Sequence, residues 1–285
     1  MKTCILIASH FHYENQSEYL FNCLFSLLNQ ENVEIKPVVY VSISFENEEY
    51  KNDFYNKIYN SPLFTDVVFV ISDTQKYQME HFYILTKYIN DYDLVLFCDD
   101  DDTYVPLRVS IIIHIYKLGL QKFENINGIR EVSDGNILDS PEYWCYGVKP
   151  SVLINFFDIF KDDMDLLKNI FGDMFLRGYF KNNNKWTNFC ILDTKEKLYL
   201  YNTNNSNSIC ATRTEYDIFT RVKNQFYLQV ISYPNEPLPD VLSIEYIREN
   251  EPNIVPDIIK NVYPKLEKIK KVCKILYEKK NPNLK

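Results

Sequence analysis

Residues 94–108 read LVLFCDDDDTYVPLR, and in them four consecutive aspartates, Asp99, Asp100, Asp101 and Asp102, follow directly on an apolar run. Adjacent carboxylates resist ionising together, so such a run calls for a counter-charge, and an all-oxygen donor set suits a hard divalent ion such as Mg2+ or Mn2+. A solvated acidic loop would have the same composition. Position favours the metal reading, because the charges sit on the end of a segment that reads as a buried strand, where a loop serving only solubility gains nothing.

The elements that must position this run alternate strand and helix. CILIAS, near the start, is an apolar run of strand length. SEYLFNCLFSLLNQ follows it, with Ser17 placed as N-cap and Leu20, Phe21, Leu24, Leu27 and Leu28 at helical spacing. PVVYVSISF, DVVFVIS and DLVLFC read as three further strands, separated by the helical-period segments EEYKNDFYNKIYN and QMEHFYILTKYIN. Repeated strand–helix units with continuous apolar strands predict a parallel sheet covered on both faces. Ligands of such sheets bind beyond the carboxyl ends of the strands, the edge from which the aspartates emerge. Past Val105 the pattern changes to a helix at residues 106–118 and a mixed region of turns and short strands. A helical stretch at 152–180 and the late strands NFCILD and KLYLYN follow. Over residues 252–277, Val255, Ile258, Ile259, Val262, Leu266, Ile269 and Val272 keep helical spacing with an interruption at Pro264. This predicts one or two helices packed on the domain with their lysines outward; contact of the Lys-rich helix with a membrane is the alternative.

Composition excludes several classes. A formal net charge of −8 argues against a nucleic-acid binder, which needs a basic face, so an anionic ligand must be met locally by a metal or a few placed donors. With six glycines and neither a GxGxxG nor a GxxxxGK[ST] pattern, glycine-built nucleotide loops are excluded. The seven cysteines form no CxxC pair and read as reduced, buried thiols. The start, MKTCILIASHFHYE, reads as a strand because it lacks a small-residue cleavage site. The longest mostly apolar segment, VSIIIHIYKLGL, falls short of the ~20 residues a membrane span requires. The expectation is a soluble cytoplasmic protein with no signal peptide or transmembrane segment.

Over residues 1–180 the sequence resembles the metal-dependent glycosyltransferases of the GT-A fold, especially those of family 2. Members open with a strand, a short polar loop and a helix ending in SLLNQ or similar, as in ILIASHFHYENQSEYLFNCLFSLLNQ. They carry a DxDD-xxx-P element after the fourth strand, which DDDDTYVP matches through Asp99, Asp101, Asp102 and Pro106. The resemblance implies a GT-A, Rossmann-like, mostly parallel sheet flanked by helices, with a mixed acceptor-side region and C-terminal helices. Residues 1–115 would form the nucleotide-sugar half, 116–235 the acceptor-binding and catalytic half, and 236–285 a helical extension.

By the same resemblance Asp99 contacts the nucleotide ribose or metal waters, with Asp100 also on the donor side, while Asp101 is the direct metal ligand and Asp102 supports it. Ser9 and His10 occupy the loop that faces the nucleobase. Many members grip the base with an aspartate at the end of the second strand, where this chain offers Ser42, Ser44 or Glu46. Gln78 and His81 share one helical turn and would reach the sugar or diphosphate together, a core or surface histidine being the other reading of His81. Arg108 would neutralise the site or contact a phosphate, or else pair with the aspartates. The second acidic motif of the family, ED-xx-L-xx-R, is matched only by GDMFLRGY, with Gly172 for the glutamate and Tyr179 for the arginine; its Asp173 is the candidate base. Trp144, Tyr146 and Trp186 would stack on acceptor sugars, and core packing explains any one of them equally well.

The implied function is a metal-dependent inverting transfer of a sugar from a UDP- or GDP-sugar to a hydroxyl of a glycan or glycoconjugate, with Mn2+ or Mg2+ on the diphosphate. A catalytically degenerate nucleotide-binding or interaction module and a retaining GT-A transferase are the alternatives. A sugar nucleotidyltransferase fits less well, because ASHFHYENQ has neither the glycines nor the basic residues such enzymes place after the first strand.

Overall fold

The first apolar run forms β1 (Thr3–Phe11), in which Cys4, Ile5, Leu6 and Ile7 are all fully buried. Successive strand residues face opposite sides of a sheet, so burial of four in a row requires cover on both faces. That cover is built from α1 (Gln16–Leu28), β2 (Val38–Phe45), α2 (Glu48–Phe54), β3 (Val67–Ile71), α3 (Gln78–Leu85) and β4 (Leu94–Phe97) in turn. The chain continues through β5 (Thr103–Tyr104), α4 (Arg108–Lys122), β6 (Gly128–Ser133), β7 (Tyr146–Val148), α5 (Pro150–Phe160), α6 (Met164–Leu167), α7 (Gly172–Asn183), β8 (Phe189–Thr194) and β9 (Tyr199–Leu200). Helix α8 (Ile218–Ser232) and, after the short helical turns Pro252–Ile254, Val255–Asp257 and Ile258–Val262, helix α9 (Tyr263–Lys280) complete it. The structure is a computed structural model describing residues 1–133, 142–169, 172–183, 189–194, 196–202, 218–233, 235–238 and 252–280.

Seven strands pair in the order β3-β2-β1-β4-β7-β6-β8, and β5 pairs with β9 in a separate two-stranded ribbon. The expected mostly parallel sheet is present: β3, β2, β1 and β4 are parallel neighbours, β7 runs antiparallel between β4 and β6, and β6 and β8 are again parallel. From β1 the chain first moves outward to β2 and β3, then returns to lay β4 on the other side of β1. The direction of winding reverses between β1 and β4, and at such a reversal the following loops diverge and open a crevice at the carboxyl ends of the strands.

The chain divides into two units, residues 1–173 with 184–212 and residues 174–183 with 213–285. The sheet and its core belong to the first. In the second, Phe175 and Phe226 contact Tyr227 and Tyr263 respectively, and α9 buries Leu266 and Ile269 while Lys265, Lys268, Lys271 and Lys274 are exposed. No helix among the described residues is long and apolar enough to cross a membrane.

Two local expectations are corrected. Ser17 does not cap α1: Asn15 holds the cap position at φ 64, and the Ser17 hydroxyl donates to the Asp53 carboxylate on α2. Pro264 does not break the C-terminal helix either. It is the second residue of α9, directly after the π-helical turn Ile258–Val262, so the helical run changes its winding there and continues.

Gly128 on β6 lies so close to its neighbour that a Cβ would fall 2.0 Å from the Gly147 carbonyl oxygen and 2.9 Å from Val148 Cα. Backbone cannot yield as a flexible side chain does. Gly128→Ala is expected to destabilise the protein by about 1–3 kcal/mol, the usual cost of overpacking, read as a lower urea midpoint.

Candidate functional site

The aspartates leave β4 at the crevice between β1 and β4, and each is held differently. Asp99, Asp100 and Asp101 are half-buried and Asp102 is wholly buried. On Asp99, one carboxylate oxygen accepts from the Tyr143 hydroxyl and from Gln78 Nε2 at 3.3 Å. One Asp100 oxygen accepts from the Ser9 hydroxyl at 2.5 Å and from Gln16 Nε2 at 2.9 Å, and that same amide group also donates to the His10 carbonyl at 3.0 Å. Asp102 accepts from the Tyr199 hydroxyl at 2.6 Å and the Asn202 N–H at 2.7 Å. Tyr199 in turn accepts the Asp99 N–H at 3.0 Å, so one phenol ties both ends of the turn.

These donors to Asp99, Asp100 and Asp102 are neutral, and the three carboxyls are weakly acidic. Burial, then the Asp102 charge, pushes Asp99 well above the ordinary carboxylate range against the Tyr143 bond. Burial and the neighbouring Asp101 raise Asp100 to about 6 in spite of Ser9 and Gln16. Burial raises Asp102 to about 7, opposed by Tyr199 and the Asn202 N–H. The turn is thus preformed, and it favours any positive charge brought to it.

Arg108 is not what neutralises it. The guanidinium is buried, with Nε donating to Glu131 at 2.9 Å and Nη2 to the Trp144 carbonyl at 2.9 Å; it lies 4.0 Å from the Tyr104 ring centre and 5.0 Å from that of Tyr199. Trp144 stacks on the outer side of this group, 4.0 Å from Tyr199 with the rings 9° from parallel. The sequence placed Arg108 against the aspartates or a phosphate; its ion-pair partner is Glu131 on β6, and its part in the turn is to hold Tyr199.

Gln78 and His81 diverge although they share a helical turn. Gln78 reaches Asp99 and Tyr143, whereas His81 is buried against β2, its Nδ1 2.8 Å from the Ser42 hydroxyl and its Nε2 3.1 Å from that of Ser44. Ser44 also lies 2.9 Å from His10 Nδ1, and His10 Nε2 lies 3.2 Å from Glu46. Burial, with the charges of His10 and Lys76, lowers His81 to about 3, so it is neutral at any physiological pH.

Asp173 opens α7 and is half-buried. Its charge joins that of Asp99 in raising the Tyr143 phenol, behind the dominant effect of burial, which puts it within electrostatic reach of that phenol. Gly172 has a steric reason for lacking a side chain: a Cβ there would fall 2.2 Å from Met79 Cγ on α3. Tyr146 is 1% exposed and edge-on to Phe189, so its ring has no face to offer an acceptor. Trp186 lies outside the described residues. Gln16, Tyr143, Tyr199 and Asn202 were not found from sequence. Only Tyr143 carried a signal, as a third aromatic in EYWCYGVKP beside the two that were chosen.

No protein-family model matches the chain, and no curated protein sequence matches it. Among solved structures it is similar to TarS of S. aureus, a GT-A-type glycosyltransferase. The 1–349 piece in complex with UDP aligns at TM-score 0.50 and 12% identity, over 91% of this chain and 78% of that one. The fold is GT-A. The same TarS piece in complex with UDP-GlcNAc aligns at 0.49 and 13% identity, over 94% and 84%, and a longer TarS chain at 0.43 and 14%, over 72% of this chain and 37% of that one. This chain therefore spans little more than a third of the longer TarS chain. In GT-A terms the four-aspartate turn sits at the carboxyl end of the central strands, where β1 and β4 part.

Tyr199→Phe keeps the ring under Arg108 and Trp144 and removes the donor to Asp102. Loss of a hydrogen bond to a buried carboxylate is expected to cost about 1–3 kcal/mol. Asp102 is raised from 3.8 to about 7 in the folded state, so its contribution is present in acid and lost as pH rises through about 7. Without Tyr199 the carboxyl rises further. Urea denaturation in EDTA should show the gap between variant and wild type widening from pH 5 to pH 8, and the comparison cancels the opposite slope that His81 gives both proteins below its ordinary value.

Proposed function

We propose that the chain is a glycosyltransferase that takes a nucleoside-diphosphate sugar, with a UDP-sugar as the first donor to test, and transfers the sugar to a hydroxyl acceptor in one inverting step. The observation that carries this reading is the position of the preformed aspartate turn in the crevice where the winding of the sheet reverses. An open α/β sheet accepts its ligand there, and a cluster of partly buried carboxylates, three of them held by neutral donors, is suited to a cation-bound diphosphate. The likeness to a TarS piece crystallised with UDP supports the choice of nucleotide.

The donor set suits the divalent ion that the resemblance implies only as one shared with the substrate. Among the described residues no group of three His, Cys, Asp or Glu side chains is arranged to hold an ion alone. Asp99, Asp100 and Asp102 already accept hydrogen bonds from the protein. This fits an ion shared with its substrate, since Mg2+ is commonly held by one or two carboxylates and substrate phosphates. Asp101 would hold it, supported by Asp102. When bound, the ion would act as a Lewis acid on the diphosphate oxygens that gain charge as the C1–O bond breaks.

The remaining work falls to the chain. Ser9, His10, Ser44 and Glu46, on the ends of β1 and β2, would border the base, while Gln78 and Tyr143 fix the Asp99 carboxylate for the ribose. Asp173 would take the proton of the acceptor hydroxyl as its oxygen attacks C1. Trp144, stacked on Tyr199 and near-parallel to Tyr201 at 6.4 Å, would offer the acceptor the part of its ring that stays exposed.

Asp173→Asn keeps volume and hydrogen bonding but cannot accept the proton. Transfer, measured as nucleoside diphosphate released from UDP-sugars in Mn2+, is expected to fall by roughly 10²–10⁴-fold with nucleotide affinity retained. Unchanged turnover would move the base elsewhere. Calorimetry with UDP should show binding in Mn2+ that EDTA removes, and Asp101→Ala should abolish that difference; equal affinity in both buffers would remove the ion from the mechanism.

A further inference from the structure

The hydrogen bonds between β1, β2 and α3 form a line of five side chains: Ser42, His81, Ser44, His10 and Glu46. Proton counting leaves this line only two states. The Ser44 hydroxyl has one hydrogen and two lone pairs, and one lone pair accepts the Lys76 N–H at 3.2 Å. One hydrogen and one lone pair then remain for two imidazole nitrogens, His81 Nε2 at 3.1 Å and His10 Nδ1 at 2.9 Å. One ring must donate to Ser44 while the other accepts from it.

With His10 neutral, Glu46 decides which. A carboxylate 3.2 Å away requires hydrogen on His10 Nε2, so Nδ1 is bare and accepts from Ser44. Ser44 must then receive Nε2–H from His81, whose bare Nδ1 accepts from Ser42. When His10 gains a proton it gains it on Nδ1, and that N–H takes the Ser44 lone pair. The Ser44 hydrogen turns to His81 Nε2, and His81, still neutral, must carry its own hydrogen on Nδ1 and donate to Ser42. Every hydrogen bond along the line is kept in both states and in no mixture of them, Ser42 turning from donor to acceptor between the two.

We propose that His81 is a positioning residue for the donor site: coupled through Ser44, it supports His10 in the Nε2–H form that Glu46 selects, and it exchanges tautomer whenever His10 changes charge. The functional half of this statement rests on the nucleotide-sugar reading above. His10 and Glu46 close β1 and β2 at the edge where the ligand of an open sheet sits, and His81, 1% exposed, cannot reach a ligand itself. Burial keeps His81 uncharged, as the relay requires, and lowers His10 against the pull of Glu46. The charged and titratable groups around His10 are Glu46, His12, stacked at 5.7 Å, and Asp100, reached through Gln16; those acting on His81 are His10 and Lys76.

Imidazole nitrogen NMR on the 15N-labelled full chain, titrated from pH 8 to pH 5, tests this. In the wild type His81 Nε2 should pass from a protonated to an unprotonated shift at the midpoint at which His10 charges, while His81 itself stays neutral. Ser44→Ala should leave His10 titrating with His81 unresponsive. Glu46→Gln, which removes a charge that raises His10, should move both midpoints together to lower pH. UDP with Mg2+ should displace both midpoints in the wild type and only that of His10 in Ser44→Ala. The relay is overturned if His81 carries its hydrogen on Nδ1 at neutral pH, or if its tautomer ignores His10. Its role at the donor is overturned if calorimetry shows that UDP binds while neither histidine moves. Absence of any UDP binding would instead sink the nucleotide reading, and the titration without ligand would still decide the relay.

Discussion

The hydroxyl of Tyr199 gives its hydrogen to Asp102 and takes one from the backbone of Asp99, and the shape of the aspartate turn depends on this double bond of one phenol. Four neighbouring carboxylates do not compact a loop by themselves; left to their own repulsion they would open it. What closes this one is a neutral group, so the turn is drawn in without its charges being cancelled. The second tie, Asn202 N–H to Asp102, comes from the residues that follow the same strand. The remaining support holds Tyr199 rather than the aspartates: Arg108 against one part of its ring, Trp144 stacked on it, and Glu131 fixing Arg108. A buried ion pair contributes little net stability, and removing one partner leaves the other uncompensated, which makes Glu131 as necessary to this clamp as any residue that touches it.

The two sides of the crevice are built on different principles. On the β4 side, carboxylates accept from amides and hydroxyls and are made weak acids by burial and by one another. On the β1 and β2 side, serines and histidines exchange hydrogen bonds with almost no charge in play, and Glu46 stands at the outer end. The aspartate side suits a ligand that brings positive charge with it, and the other side suits one read by shape and hydrogen bonding. A nucleoside diphosphate with its counter-ion has both characters.

Much of the scaffold is legible in the sequence because its signals are local. The strands β1, β2 and β4 are continuous apolar runs because each is covered on two faces, the edge strand β3 is apolar but only partly buried, and the helices between them keep their period. The aspartates stand out by charge alone. What holds them is not legible, because Tyr199 and Asn202 belong to the chain 97 and 100 residues after Asp102 and have the composition of any late strand and loop. His81 shows the converse limit. Helical spacing correctly puts it beside Gln78, yet the side chains part because a buried serine pair on β2 offers the imidazole partners on both nitrogens. Ser17 misleads for a similar reason, a hydroxyl that could cap its own helix being taken by a carboxylate on the next one. Gly172 is the opposite case: an apparent defect in an acidic motif is the place where α7 meets Met79 with no room for a side chain.

The pairing of β5 with β9 also has a consequence in time. A nascent chain emerges from the ribosome at about 5–20 residues per second, so the aspartates precede Tyr199 by about 5–20 s. In that interval β1 to β4 can already pair, since all their residues have appeared, but the turn at their edge has no phenol to close it. Asp102 is then a hydrated, ordinary acid, and it becomes the buried, weakly acidic group of the finished protein only when β9 arrives. A chain halted before that strand possesses the whole aspartate motif and lacks the structure that gives the motif its properties.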